Sequence, residues 1–433
     1  MNRIAKVLTR VTVVAVIGVV TALAQAQAPA TGPQWKDTAE YDLFQQIQKA
    51  TAPAARLPLL DSWKEKYPDS AFKMQRLILY LTTYQQVGQT PKAVESAKEI
   101  LTIDAKEPNA LFFLTRYGQI LPATPDSLAT GEKAAQGLLG MDKPAGVDDA
   151  QWGAMKTQFA TTAHTTLGFI AHQKKDYDAE EQEYKKVLEI DPTQAAASYA
   201  LGTAIIAQKK PDRYSEALFE IARAAALTGP NALQPAMQKP VEAFLVKSYI
   251  AYHGSEEGLK ELRQLAVGPK PLPDSGFKIK DKNEIEEENK AKLAAADPQL
   301  AFWKTLKDGL LAPNGEQYFE SSVKDAALPP ENIKKLKGKI VSIKPAVRPK
   351  EIVLSMDEEN KPQVTLKLEN ALPGKADPGA EIQFEGLAQS FTKEPFMLTF
   401  AVEDNKKITG WPAQAAPAPA RRPTATKKGA AKK

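Results

Sequence analysis

The sequence predicts a multidomain α-plus-β chain, an N-terminal α-solenoid of stacked helix pairs followed by a small antiparallel β-barrel. Three observations predict it. A helical unit recurs at a spacing of 34 residues, with Leu167-Gly168 and Leu201-Gly202 marking the same point of two consecutive copies. A proline-rich stretch, Gly268-Pro269-Lys270-Pro271-Leu272-Pro273-Asp274-Ser275-Gly276, then ends the helical period. From Lys339 onward apolar residues alternate one by one, the period of strands with a single buried face.

The 433 residues leave room for two or three domains. The complete absence of cysteine excludes disulfides, thiolate metal sites, cysteine nucleophiles and thiol lipidation. The net charge of +5 belongs to the two ends. Arg3, Lys6 and Arg10 give +3, and Arg421, Arg422, Lys427, Lys428, Lys432 and Lys433 give +6 with no acid in 412–433, leaving about −4 for everything between. A nucleic-acid binder carries its basic excess on the folded domain. That footprint is missing here, and no nucleic-acid partner is expected.

Residues 1–10 carry three positive charges, and residues 11–24 are Val, Ala, Ile, Leu, Gly and two Thr. Ala22-Leu23-Ala24 and Ala24-Gln25-Ala26 both offer the small-x-small pattern of signal peptidase sites. This is the order of a secretory signal peptide over 1–26. The apolar run is shorter than the ~20 residues that span a hydrocarbon core, so a retained anchor is the weaker alternative. With no cysteine after the run the protein is not a lipoprotein, and the mature chain is expected in a Gram-negative periplasm.

Six helix pairs are expected near 38–66, 71–102, 108–139, 148–189, 194–227 and 235–266. After Leu167-Gly168 come Tyr184, Val187-Leu188 and Asp191-Pro192; after Leu201-Gly202 come Ala217, Ile221, Ala224 and Gly229-Pro230. An earlier copy reads Tyr84, Ala93, Ala97 and Ile100-Leu101. On these residues the region 36–268 resembles a tetratricopeptide-repeat (TPR) domain, whose pattern is W-x2-L-G-x2-Y, A-x3-F, P. Leu167, Gly168, Tyr184 and Pro192 match it; His164, Ala171 and Glu180 depart from it. The resemblance implies stacked helix pairs with a concave groove that takes a protein or peptide partner. Carried onto the two matched copies, the partner-binding groove is Thr162, Thr165, Phe169 and His172, then Tyr199, Thr203 and Ile206. Contact with neighbouring helices or solvent is the alternative role for these positions.

Residues 269–297 read as a linker. Alternate prolines favour an extended chain, and Asn283 with Glu286 resembles a capping box opening the charged helical run 284–292. Leu300, Trp303, Leu306 and Leu310 form one helical face. Strands are expected at 340–343, 352–356, 364–368, 382–384, 396–402 and 408–411, with turns at 357–362 and 373–379. One apolar face over five or six short strands suggests closure into a barrel, because closure removes sheet edges. Over 298–411 the size and spacing resemble an OB-type barrel. Phe384, Phe396 and Phe400 stand in the core phase, so they offer no outward stacking platform for single-stranded nucleic acid. Residues 412–433 hold too little apolar surface to order themselves. Their charge would give a weak contact with anionic envelope components.

No phosphate loop, nucleophile elbow, H-E-x-x-H helix or dinucleotide fingerprint is present. His164 and His172 are eight residues apart on one helix, a rise of ~12 Å that forbids joint ligation. His253 reads as a favourable contact at a helix end. Asp176-x-Asp178-x-Glu180 imitates the start of a calcium loop but lacks the glycine. Asp357-Glu358-Glu359 lies in a hairpin turn, with solvent as the expected partner. No catalytic, cofactor or metal residue is assigned. The role expected is an exported, non-enzymatic scaffold, with envelope attachment through glycan or anionic lipid as runner-up and an enzyme with a site invisible in sequence third.

Overall fold

A helix pair hides one side of each helix and must borrow a neighbour for the other, and the first unit of the protein is built on that need. The computed structural model describes residues 34–120 and 122–412. The expected signal peptide at 1–26 and residues 413–433 of the basic tail lie outside the described residues. The chain divides into two units, Met1–Lys282 and Asn283–Lys433.

In the first unit the pairs are α1 (Thr38–Lys49) with α2 (Pro53–Lys66), α3 (Lys73–Gln86) with α4 (Thr90–Ile103), and α5 (Pro108–Ile120) with α6 (Pro125–Leu139). They continue as α7 (Asp149–Lys174) with α8 (Tyr177–Ile190) and α9 (Ala195–Ala207) with α10 (Tyr214–Ala226). From α1 to α11 (Pro235–His253) each helix packs on the next in the chain, the serial nearest-neighbour packing of a helical-repeat array. α12 (Leu259–Ala266) departs from this order, because α11 and α12 both pack on α10.

Local chemistry sets the helix starts. The side chains of Asp37, Asp148 and Asp176 accept from the Glu40, Gln151 and Ala179 amides, and Thr124 with Ser127 closes a capping box on α6. Small residues set the pair spacing. A Cβ on Gly118 would stand 3.0 Å from the Gly131 Cα, and one on Gly168 would stand 3.0 Å from the Tyr184 ring. A Cβ on Gly202 would meet the Ile221 Cγ1 at 2.7 Å and the Ala217 carbonyl oxygen at 2.8 Å.

Residues 268–281, expected as part of a spacer, form a strap fixed to the array. The Arg223 Nη1 donates to the carbonyls of Ala266, Gly268 and Lys270, and Nη2 donates to that of Pro192. Leu272 packs on the core shared by α8 and α9, and Phe277 meets the edge of Phe219 at 5.4 Å. The Ile279 amide donates to the Ser215 hydroxyl at 2.9 Å. His253 stands in the last turn of α11, as expected, and places Nδ1 2.9 Å from the Lys280 carbonyl. A proline-rich segment suits this role, since its chain is extended and its carbonyls are unclaimed by helix or sheet.

After the charged helix α13 (Lys282–Ala296), α14 (Pro298–Leu311) starts on an Asp297 cap and buries Trp303, Leu306 and Leu310. The strands are β1 (Ala327–Leu328), β2 (Leu336–Lys344), β3 (Glu351–Ser355), β4 (Val364–Leu368), β5 (Glu381–Phe384), β6 (Gly386–Lys393), β7 (Phe396–Val402) and β8 (Ile408–Thr409). They form one sheet in the order β1-β6-β7-β4-β3-β2-β5-β8, with β4 and β7 parallel and the other pairs antiparallel. Only Glu385 separates β5 from β6, yet β5 pairs with β2 and β6 pairs with β7. One nearly continuous run therefore serves both flanks, and the sheet curls. Among the described residues no ladder joins β1 to β8, so the finding is a curled eight-stranded sheet rather than the closed barrel expected. β1 and β6 escaped the alternation reading; β6 carries a bulge between Ala388 and Ser390 that breaks the period.

Phe384 and Phe400 are fully buried, as their phase implies. Asp357, expected to face solvent, is 13% exposed and lies 3.3 Å from the Trp303 Nε1 and 3.2 Å from the Lys307 Nζ. Burial would raise its pKa, but the bonds from Gln363, Trp303 and Lys307 hold it below the usual carboxylate range. The turn is thereby tied to α14.

Gly202→Ala is expected to lower stability by ~1–3 kcal/mol through overpacking against a backbone carbonyl. Gly153→Ala, on α7 with open space around it, is expected to be neutral or stabilising by up to ~1 kcal/mol. Urea unfolding of the two variants checks the contrast, and equal losses would refute the close-approach account.

Candidate functional site

The residues expected to line a groove fall on two helices. Thr162, Thr165, Phe169 and His172 recur at helical spacing on α7, and each is half-buried. The Thr165 hydroxyl donates back to the Thr161 carbonyl at 2.7 Å, and the Thr162 carbonyl accepts from Thr166 at 2.9 Å. His172 places Nδ1 2.9 Å from the nearer oxygen of Glu180 on α8. On α9, Thr203 is half-buried and donates back to Tyr199 and Ala200.

Two of the expected positions pack against neighbouring helices. Tyr199 is 7% exposed and stands in the α9–α12 core with its ring edge-on to Phe244 at 6.3 Å. Ile206 packs against the buried clusters on both sides of α9. An Ala-rich helix such as α9 is wrapped by neighbours around most of its circumference, so its outward positions are few. Among the described residues no hydrogen bond or ring contact joins the four α7 positions to the three on α9.

The histidines form two separate pairs rather than one site. His164 Nδ1 lies 2.7 Å from Glu183, and His172 lies beside Glu180. The acidic triplet at the start of α8 also disperses: Asp176 caps the helix, Asp178 faces Lys210 at 3.4 Å, and Glu180 faces His172. Among the described residues no group of three or more His, Asp or Glu is placed to hold a metal.

Sequence reading missed the ionisable groups between helices. Glu181 accepts from Arg213, Lys185 and Gln208; burial alone would raise it, and these donors bring it down to about 2. Glu220 on α10 has the opposite surroundings. Burial pushes it up to about 8 against the pull of Arg223 and the nearby Ser198 hydroxyl, which does not reach hydrogen-bond geometry with either carboxyl oxygen. Its position in the stripe with Ala217, Ile221 and Ala224 was the signal available, a carboxylate in the apolar phase of a helix.

No family model matches the chain, and no curated protein matches it. Among solved structures the chain is similar to MamA protein at 16% identity and a TM-score of 0.30, over 52% of this chain and 93% of that one. It is similar to a thermophilic TPR protein of Thermus thermophilus at 13% identity and 0.27, over 49% of this chain and 99% of that one. A tetratricopeptide repeat protein from Parabacteroides merdae gives 14% and 0.26, over 54% and 100%. Identity and score are low throughout, and nothing about partner or activity passes through them.

The hydrogen bond to Glu180 raises the His172 pKa above its ordinary value. A raised folded-state value contributes stability below the ordinary histidine range that is lost as pH rises through the folded value. His172→Gln is therefore expected to lower the Tm most near about pH 6 and hardly at all near about pH 9, with a loss under ~1 kcal/mol because the half-buried His172 side chain is still 41% exposed and screened by solvent. Melting curves at the two pH values check it, and a loss independent of pH would count against the pair.

Proposed function

We propose that the protein is an exported, non-enzymatic scaffold that holds a protein or peptide partner on its array and uses the curled sheet as a second interaction module. The observation that carries this reading is the row Thr162, Thr165, Phe169, His172 and Thr203. These side chains recur at helical spacing on first helices of consecutive pairs and stay half-buried instead of joining the core. A surface preformed by stacked helices binds with little ordering cost on the scaffold side. The strand path of the second unit, a β2–β3–β4 meander with β7 parallel to β4, supports reading it as an OB-type module. The charged start, apolar run and small residues of 1–26 support export to a periplasm.

A photo-crosslinker at Thr165 or Thr203 is expected to capture one polypeptide in stoichiometric yield, and a crosslinker at the exposed Lys156 is not. Phe169→Ala is expected to weaken that complex about tenfold, the scale of a single buried interface anchor. Even labelling from all three positions would sink the groove reading. Tyr199 is left out of this set because replacing a core ring tests folding. Amino-terminal sequencing of the native protein is expected to begin at Gln25 or Gln27.

The basic tail favours a second reading, envelope attachment. If it holds, full-length protein co-sediments with anionic vesicles at low salt, and deletion of 413–433 abolishes this.

A further inference from the structure

α10 is the most enclosed helix of the array, with ten of its thirteen residues buried. Neighbouring helices α9, α11 and α12 cover part of it, and the strap 268–281 covers more. Arg223 is the fastener, since one guanidinium spans the strap carbonyls of Gly268 and Lys270, that of Ala266 at the end of α12, and that of Pro192. All of these acceptors are neutral.

Directly beside this fastener lies a concentration of unsatisfied polar atoms. Seven buried side-chain atoms among the described residues have no hydrogen-bond partner, and four belong to one cluster: Arg223 Nε, both oxygens of Glu220, and the Ser198 hydroxyl. Glu220 precedes Arg223 by three residues on α10, so the two side chains are neighbours on one helix face. Glu220 is wholly buried and Arg223 is 3% exposed. The surroundings of Glu220 keep it protonated at neutral pH, with burial outweighing the pull of Arg223 and Ser198. The other charges facing it are already engaged. Lys185 from α8 is bonded to Glu181 at 2.6 Å and reaches Glu216 at 3.5 Å, and Glu216 on α10 is held by Arg213. α11 and α12 turn Met237, Val241, Leu245, Leu259 and Leu262 to this core, together with the Tyr249 phenol, which donates to the Glu257 carbonyl and is raised by burial. From α9 comes the buried Tyr199 phenol, raised for the same reason, and on the strap Lys270 is paired with Asp274.

We propose that Arg223 is a latch with two alternative acceptors, and that ionisation of Glu220 turns it from the strap carbonyls to the carboxylate one turn away, releasing residues 268–281 from α10. While Glu220 keeps its proton, the guanidinium belongs to the strap. Once the proton passes to solvent, a desolvated carboxylate stands next to the idle Nε, and a charge-assisted bond is roughly twice as strong as one to a neutral carbonyl. The ionised pair also removes the unsatisfied atoms at Glu220 and Arg223 together. Release uncovers Phe219 and the seat of Leu272, so the array gains an apolar face in mildly alkaline conditions that is closed at neutral pH.

The test is trypsin cleavage of the full chain after Lys278 and Lys280, read by mass spectrometry at about pH 7 and about pH 9.5 and normalised to a denatured substrate. The wild-type strap is expected to be cut about tenfold or more faster at the higher pH, the response of one titrating group passed by a unit or more. Glu220→Gln, which cannot ionise, is expected to stay slow at both, and Arg223→Met to be fast at both. Cleavage after Lys92 and Lys98 in α4 is expected to remain slow throughout. Equal strap rates at the two pH values, the same rise in Glu220→Gln, or a parallel rise in α4 each overturn the proposal. If Glu220→Gln does not fold, amide exchange at Ile279 in the wild type decides, with loss of protection at a midpoint near about pH 8 supporting the latch and a flat profile overturning it.

Discussion

The constraint on which the first unit depends is the distance at which two helices of a pair approach. Gly118 against Gly131, Gly168 against Tyr184 and Gly202 against Ala217 and Ile221 leave no room for an added Cβ without a shift. Close pairing lets Ile170, Leu188, Leu201 and Ile221 bury completely or nearly so, and the faces left over must be covered by the next pair. Serial packing from α1 to α11 follows. Thr162, Thr165, Phe169 and His172 on α7 stay half-buried within this packing.

Burial and hydrogen bonding then sort the carboxylates enclosed by this packing. Glu40 is wholly buried, and burial alone would raise it. It accepts from Ser70, the Lys36 amide and Trp63, and so stays below the usual range. Glu181 behaves likewise among Arg213, Lys185 and Gln208. Glu220, with no donor completing a bond to it, goes the other way. Residues of one chemical type thus sit on opposite sides of their titration at neutral pH, and the difference is the number of donors aimed at each carboxyl.

The second unit rests on a different solution to the same need for cover. Alternating strands give the sheet one apolar face, and α14 sets Trp303, Leu306 and Leu310 into the core formed there with Leu366, Phe384 and Phe400. The Lys307 and Trp303 contacts to Asp357 tie the β3–β4 turn to that helix. A turn rich in acid therefore becomes part of the helix–sheet joint, because its first carboxylate finds a cation and an indole N–H before it finds water.

Legible in the sequence were the elements with a period. The first five helix pairs, the strands with strict alternation and the helical face of Leu300, Trp303, Leu306 and Leu310 all declare themselves because burial of one face imprints a repeat on the chain, whereas the expected sixth pair over 235–266 is two helices that both pack on α10. The packing of Tyr199 and Ile206 against neighbouring helices was not legible, because period gives the face of a helix but not how many neighbours surround it. β6 was hidden by its bulge, and the curl of the sheet by the single residue, Glu385, between strands that pair on opposite flanks. The strap, the Arg213 and Gln208 donors to Glu181 and the surroundings of Glu220 were decided by tertiary structure alone. They depend on groups 20 or more residues apart meeting in space, as Arg223 meets Lys270 and Arg213 meets Glu181, and no local pattern records such a meeting.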